Sequence, residues 1–404
     1  HRDLHLSLRR QRQMCIRDRR KEGKVVIEVQ GQKEELMEGE WSKWFRVRFD
    51  SVEGVCRFKV LKNNESELTI YLSPISYSPF EPAAPIAYPE SIAKELAERI
   101  GIFKSLSFES DVYGLKEELI DEETWLEDMR YTFETRFKVA KHLLQNTNWN
   151  YFAIDLFPVD RVQHLFWRFI DKEHPMYEES SYAELIEKTY IWLDEKLAEL
   201  MPLFSDALLF VISDHGFQSY RKSVQLNKIL LEEGFLAFKG NAEQGGFADI
   251  DWSKTQAYAL GFGSIYINLK GREKYGVVSE KDAESVEENI KEALLKFEFD
   301  GEKPFIDVKT SEEVYDGNRE MPDLVPIYKP GFRASRETAI GAVSSEEIIY
   351  DNKNKWSADH IGPFLAEHNA GIVFCSEPIN LKNASILDLT PTFTLLGRET
   401  SPIM

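Results

Sequence analysis

Apolar and polar positions repeat along this chain with two different periods. In residues 24–29 and 44–71, aromatic and β-branched residues partly alternate with polar ones, which predicts a small region of antiparallel strands. Helical spacing marks longer segments elsewhere. It predicts helices over residues 90–100, 122–145, 182–200, 224–233, 280–297 and 387–396.

From residue 149 onward, short and continuously apolar segments appear between the helices. Such segments are typical of strands that are buried on both faces, and they predict strands over residues 149–157, 207–213, 263–269 and 371–375. Because these strands alternate with helices, we expect an α/β fold with a mainly parallel central sheet flanked by helices. Ligands in such folds bind at the carboxyl ends of the strands.

The pattern divides the chain into three parts. Residues 1–23 show no clear period, and the string RQRQMCIRDR resembles translated sequencing-adapter read-through, so we interpret them as a non-native scar. The alternative is a basic arm that binds an acidic partner. We expect residues 24–90 to form a β-rich insert with a Pro-rich connection, and residues 91–404 to form the α/β core.

Composition narrows the classes of partner. The formal net charge of −19 argues against a nucleic-acid duplex, because a phosphate backbone binds to basic surfaces. No segment approaches the ~18 consecutive apolar residues of a membrane span. Cys15, Cys56 and Cys375 lack paired spacing, which favours a reducing compartment. A cytoplasmic location is the resulting expectation.

The first candidate chemistry is Asp160-Arg-Val-Gln-His164, directly after the predicted strand at 149–157. If this segment is helical, a spacing of four places Asp160 and His164 on one face. A carboxylate and an imidazole on one face can chelate a divalent metal. The alternative is a solvated Asp beside a packed His.

The second candidate is Ser213-Asp214-His215-Gly216, which follows the predicted strand at 207–213. Neighbouring side chains on a strand point to opposite faces, so Asp214 and His215 converge only if the chain bends there. Gly216 makes such a bend easy. The alternative to a metal site is an Asp-based turn at the end of a strand.

The third candidate is Asp359-His360, with Glu367-His368 as a second acidic-His pair ahead of the predicted strand at 371–375. Either His could complete a site, and we prefer His360. This pair is informative only because the first two candidates already require further ligands.

Taken in this order, D-x-x-x-H, S-D-H-G-F and a late D-H before G-I-V-F resemble the alkaline phosphatase superfamily. The branch they resemble is the type I phosphodiesterase/nucleotide pyrophosphatase family, and the resemblance covers nearly all of residues 24–404. It implies that Asp160, His164 and His360 hold one divalent metal, with His368 as the fallback, and that Asp214 and His215 hold a second. Zn²⁺ suits these ligands and Mn²⁺ is the alternative.

The same resemblance implies hydrolysis of phosphate esters of a small phosphorylated substrate. The family nucleophile, a Thr or Ser, and one further Asp ligand lie on a first strand and helix, for which no matching context exists in this sequence. We therefore expect an N-terminally truncated chain that is inactive without the upstream segment. The alternatives are a sulfatase, a metal-dependent phosphomutase, or a non-catalytic metal-binding protein.

Overall fold

The computed structural model describes residues 17–21, 23–105, 110–204, 207–318, 320–360, 369–379 and 385–399. Two compact units divide the chain. The first comprises His1–Arg161 and Thr189–Leu203, and the second comprises Val162–Lys188 and Phe204–Met404. The domain boundary expected near residue 90 lies inside the first unit, and it stays a prediction.

Antiparallel strands are present in the first unit, both inside and outside the segments 24–29 and 44–71 where the sequence predicted them. They are β1 Arg17–Lys21, β2 Lys24–Val29, β3 Gln32–Leu36, β4 Phe45–Phe49, β5 Val52–Cys56, β6 Phe58–Asn63, β7 Leu68–Leu72 and β8 Ser76–Tyr77. They pair as β1–β2–β3, β4–β5–β8 and β6–β7. Strand β1 falls in the part that we interpreted as a scar, and its backbone pairs with one edge of β2.

Alternation of buried and exposed positions fixes which face of these strands is inward. In β4, Phe45 and Val47 are buried whereas Arg46 and Arg48 are exposed, as a half-buried strand requires. Phe45 packs edge-on against Phe58 with ring centroids 5.1 Å apart. The small apolar core of this unit therefore forms between strands, as the period-two pattern predicts.

Two helices of the first unit follow the predicted spacing, and a third, Val112–Lys116, was not predicted. They are Ser91–Ile100, Val112–Lys116 and Glu122–Asn146. Asp121 begins the longest of them, because its carboxylate accepts a hydrogen bond from the amide of Thr124 at 2.8 Å. Trp125 and Phe133 are almost completely buried on this helix, so its apolar face belongs to the core.

The second unit combines short sheets with helices. Its strands are β9 Phe210–Ile212, β10 Gln218–Val224, β11 Ala257–Leu260, β12 Ser264–Ile267, β13 Phe305–Thr310, β14 Leu324–Tyr328, β15 Gly331–Ala334, β16 Ile349–Asp351, β17 Ala358–Asp359 and β18 Val373–Cys375. Its helices are Leu226–Glu232, Glu280–Lys296, Ser311–Tyr315, Arg336–Ala339 and Leu389–Glu399. Two more, Pro158–Phe166 and Leu185–Leu200, continue across the division between the units. In the described part of the chain, no helix is both long and apolar enough to cross a membrane.

The mixed α/β class is present, but the predicted mainly parallel sheet is not confirmed. The order β11–β12–β14–β13 is antiparallel throughout, and β9 pairs antiparallel with β18. Among the described strands, only β10 and β15 pair in parallel. The physical reason is clearest at β11 and β12, because the three residues that join them are too few for the crossover that parallel strands need.

The prediction of a strand over residues 149–157 is wrong. This segment has no regular secondary structure in the described chain, and the side chain of Tyr151 is 69% exposed. An apolar sequence favours a buried strand only where a neighbouring strand offers backbone hydrogen bonds, and no described strand pairs with this segment. The prediction for residues 207–213 shortens for a similar reason to Phe210–Ile212, where β18 supplies the partner.

Glu287, on the Glu280–Lys296 helix, is expected to make the free energy of unfolding of the second unit depend on pH. Burial, reinforced by the negative charges of Asp323 and Glu284, raises the pKa of Glu287 from 4.5 to about 7. The folded state therefore holds this proton more tightly than the unfolded chain does. Its stabilising effect is complete below pH 4.5 and is lost as the pH rises through about 7.

We expect Glu287→Gln to lose less stability than the unchanged protein when the pH is raised from about 5 to about 8. Urea unfolding at several pH values measures this difference. Glu232→Gln, at an exposed position of the Leu226–Glu232 helix in the same unit, is the control and should keep the original pH slope. Identical slopes for the Glu287→Gln variant and the unchanged protein would contradict the assignment.

Candidate metal centre

Asp160 and His164 lie on the helix Pro158–Phe166, so the condition under which their spacing places them on one face is met. Pro158 occupies the first position of the helix. An amide at that position has no acceptor within the helix, so the amide hydrogen that proline lacks costs no helical hydrogen bond. His164 lies four positions after Asp160 in the sequence, so the two side chains project from one face of the helix. His164 is 1% exposed, which places its imidazole in an environment of low polarity.

His360 completes a group with these two residues. It directly follows β17 Ala358–Asp359, which pairs antiparallel with β10. One potential ligand atom from each of Asp160, His164 and His360 lies within 4.8 Å of the other two. Within the described part of the chain, this is the one group of three or more such side chains close enough to share an ion.

A hydrogen bond and packing against two aromatic rings fix the ring of His164. Its Nδ1 lies 2.7 Å from the carbonyl oxygen of Ala358, which accepts a hydrogen bond from that nitrogen. The ring also stacks on Trp356, with centroids 3.7 Å apart, and meets the edge of Phe217 at 4.7 Å. Because Nδ1 carries the proton, Nε2 presents its lone pair as the ligand atom, which is the usual arrangement of a metal-bound His.

The donor set fits a divalent cation. Two imidazole nitrogens and one carboxylate oxygen are the ligands found in open zinc sites, in which a fourth position remains for water or substrate. The carbonyl of Ala358 and the aromatic rings around His164 provide the outer support that such sites need. Asp160, His164 and His360 could therefore hold one metal ion.

Asp214 and His215 lie beside this group, directly after β9. The ring of His215 stacks on that of His360 with centroids 3.6 Å apart and an interplanar angle of 6°. Its Nε2 lies 3.2 Å from Asp214 Oδ2, and the Asp214 side chain is 72% exposed. The two side chains thus converge as predicted. Among the described residues they do not gather a third ligand of their own.

Gly216 allows this approach through close packing. A Cβ atom at position 216 would lie 2.9 Å from the carbonyl oxygen of Ala370 and 3.0 Å from the backbone of Asn369. The amide of Gly216 donates to the Asn369 carbonyl at 2.9 Å. At Gly371 a Cβ would meet the Ser213 carbonyl oxygen at 2.5 Å. The two backbones therefore touch directly beside the ligands.

Asp359 is a residue whose role the sequence did not reveal. Its Oδ1 accepts from the amide of His360 at 2.9 Å, and its Oδ2 accepts from the indole Nε1 of Trp356 at 3.0 Å and from Arg333. Asp359 is 2% exposed. Asp359 therefore positions His360 through the hydrogen bond to its backbone amide. The only signal in the sequence was its place next to that His, which also fits a direct ligand. His368, the fallback ligand, lies outside the described residues.

Comparison with known families gives one match. Residues 32–368 match the family model described as type I phosphodiesterase / nucleotide pyrophosphatase. That span contains all five residues of the centre described above. A search of curated proteins finds no match.

Proposed function

The chain belongs to the type I phosphodiesterase/nucleotide pyrophosphatase family, and from this premise we propose that it carries the metal centre of a hydrolase that cleaves phosphodiester or pyrophosphate bonds. The group of Asp160, His164 and His360 is the observation that supports the proposal most strongly. A bound Zn²⁺ would polarise a phosphoryl oxygen and lower the pKa of a coordinated hydroxyl group.

The charges of the ligands suit an anionic substrate. Asp160 contributes one negative charge, and the neutral imidazoles of His164 and His360 contribute none. A dication held by these three side chains keeps a net positive charge, which attracts a phosphate ester even though the whole chain is strongly acidic. The Trp356 and Phe217 rings lie against His164 and exclude water on that side.

We further propose that Asp214 and His215 contribute to a second cation position. The stacked rings of His215 and His360 place the two sets of ligands side by side. Two-metal hydrolases hold their ions about 4 Å apart, so that both contact one phosphoryl group. Nitrogen-rich ligands favour Zn²⁺ over Mn²⁺ at such positions.

The nucleophile of the proposed reaction is a Thr or Ser on a segment upstream of residue 24. The Ser residues next to the ligands are already engaged in structural contacts. Ser357 is fully buried, and its hydroxyl accepts from the Arg168 amide at 3.0 Å and donates to the His164 carbonyl. The Ser213 hydroxyl accepts from the Ile372 amide at 2.8 Å. Neither hydroxyl is placed to attack a substrate.

Binding of inorganic phosphate tests the proposal without requiring the nucleophile. We expect the full chain to bind Zn²⁺ in equilibrium dialysis, and to bind phosphate only when Zn²⁺ is present. His360→Ala should lose both properties. Binding of phosphate that is equal with and without Zn²⁺, or unaffected by His360→Ala, would contradict the proposed centre.

Hydrolysis of an aryl phosphodiester provides the second measurement. We expect little or none by this chain, and we expect turnover once the natural sequence upstream of residue 24 is joined to it. An extended chain that binds Zn²⁺ but leaves the diester intact would instead support a non-catalytic metal-binding protein.

A further inference from the structure

A cleft in the first unit has no part in the metal centre. It has a volume of about 410 Å³ and lies between residues 39–43, the side chain of Arg57, and Glu127 and Tyr131 of the Glu122–Asn146 helix. We call it the Arg57 pocket. Its volume lies within the range of about 300–1,000 Å³ that is usual for small-molecule sites.

Arg57 lacks the hydrogen bonds that a buried guanidinium normally makes. The residue is 3% exposed, and both its Nε and its Nη1 are buried with no hydrogen-bond partner among the described residues. Buried charged groups are normally paired, because an unmet donor loses its hydration and gains nothing in return. The hydroxyl of Tyr131 is a hydrogen-bond partner of Arg57, but it leaves Nε and Nη1 without an acceptor among the described residues.

Aromatic rings explain how the charge of Arg57 is tolerated. Its Cζ lies 4.3 Å from the ring centroid of Trp41 and 4.0 Å from that of Tyr131. Stacking against ring faces stabilises a guanidinium but leaves its in-plane N–H groups available. Tyr131 is 40% exposed, so its ring forms part of the solvent-facing wall of the pocket.

The nearby carboxylates are already paired with other cations. Glu127 accepts from the Trp41 indole at 2.8 Å and from Lys59. Asp128, whose charge also acts on Arg57, forms an ion pair with Lys104. The exposed Lys43 adds a further positive charge at the rim. The pocket thus remains cationic in a chain whose net charge is −19.

We propose that the Arg57 pocket binds a small molecule that joins an oxyanion, either carboxylate or phosphate, to a flat apolar group. The oxyanion would accept a charge-assisted hydrogen bond from Nε or from Nη1 of Arg57, whose N–H groups point to different sides of the guanidinium. The flat group would lie against Trp41 and Tyr131. All of these residues lie in the first unit, so the inference does not depend on the proposed hydrolase activity.

Calorimetric titration of the full chain with benzoate and with phenylphosphonate tests the proposal. A chelator is present throughout, so that a metal centre cannot bind the phosphonate. We expect at least one of the two anions to bind, and benzylammonium, which has the same ring and the opposite charge, to bind at least about tenfold more weakly. Whichever anion binds more tightly identifies the class of oxyanion.

Two variants locate the binding. Arg57→Met should weaken binding of the anion by at least about tenfold, because it removes a charge-assisted hydrogen bond from a buried guanidinium. If that variant fails to fold, Lys43→Met decides, since Lys43 is exposed and its loss should weaken binding several-fold. Lys94→Met, at an exposed site outside the pocket, should bind as the unchanged protein does.

Three results would overturn the inference. The first is the absence of binding by both anions. The second is binding of benzylammonium as tight as that of the anions. The third is undiminished binding by a folded Arg57→Met variant, or by Lys43→Met where Arg57→Met does not fold. His164→Ala should leave anion binding unchanged, so failure of this proposal and failure of the metal centre can be told apart.

Discussion

Replacing Asp359 with Ala is expected to lower the free energy of unfolding by about 3–5 kcal/mol, because it removes one partner of a largely buried ion pair. The Arg333 side chain is 21% exposed and would keep its charge without the carboxylate. Its remaining contact is the ring of Tyr220, whose centroid lies 5.1 Å from the Arg333 Cζ. The Trp356 indole and the His360 amide would also lose their acceptor.

Urea unfolding followed by circular dichroism measures this loss. Asp351→Ala is the matched control, because Asp351 is about half exposed and lies 3.9 Å from Lys222; its effect should stay within about 0.5 kcal/mol. Asp359→Asn keeps the size of the side chain and an acceptor for Trp356, so we expect a smaller loss than with Ala. An effect of Asp359→Ala no larger than that of the control would show that Asp359 does not support the centre.

Removing the His164 imidazole is expected to weaken Zn²⁺ binding by more than about a hundredfold, since loss of an outer partner of a ligand alone weakens binding 10–100-fold. His164 offers one of the three potential ligand atoms. Its ring is also held by the Ala358 carbonyl and by Trp356, so no neighbouring side chain can take its place without rearrangement. Competition with a chromophoric chelator measures the affinity of His164→Ala.

Asp160→Asn separates ligation from packing. This variant preserves the shape of the side chain but removes its charge, so Zn²⁺ affinity should fall. Without metal it loses the ion pair with Arg161, whose Nη1 lies 3.2 Å from Asp160 Oδ1, and the chain should still unfold in one cooperative transition. His142→Ala, on the Glu122–Asn146 helix of the first unit, is the control and should bind Zn²⁺ as the unchanged protein does. Equal affinity in all of these variants would remove the basis for the centre.

Helices Ser91–Ile100 and Glu122–Asn146 and strands β2 and β4 to β7 of the first unit could be predicted from the sequence, because their patterns are local. The predicted helix over residues 122–145 differs by one residue from the observed Glu122–Asn146. The spacing of Asp160 and His164 likewise identified a helix face that bears both side chains. In each case the period of the apolar positions determines the conformation, whatever packs against it.

Strand pairing could not be predicted in the same way, since it depends on distant partners. Residues 149–157 and 207–213 are both rich in apolar residues. Only the second segment contains a strand, and this strand forms where β18 pairs with it. The role of Asp359 was hidden for a related reason. Its partner Arg333 lies 26 residues earlier in the chain, and nothing in the sequence near Arg333 indicated that the two side chains meet.

The contact between the backbones at Gly216 and Gly371 also limits how this region can change during evolution. A side chain at either position would have to occupy space held by main-chain atoms of the other segment. Unlike a side chain, main-chain atoms cannot be made smaller by a substitution. Drift at the two glycines is therefore blocked independently of any chemistry. Sequence variation among descendants of this chain should accumulate elsewhere, in the loops that do not touch this junction.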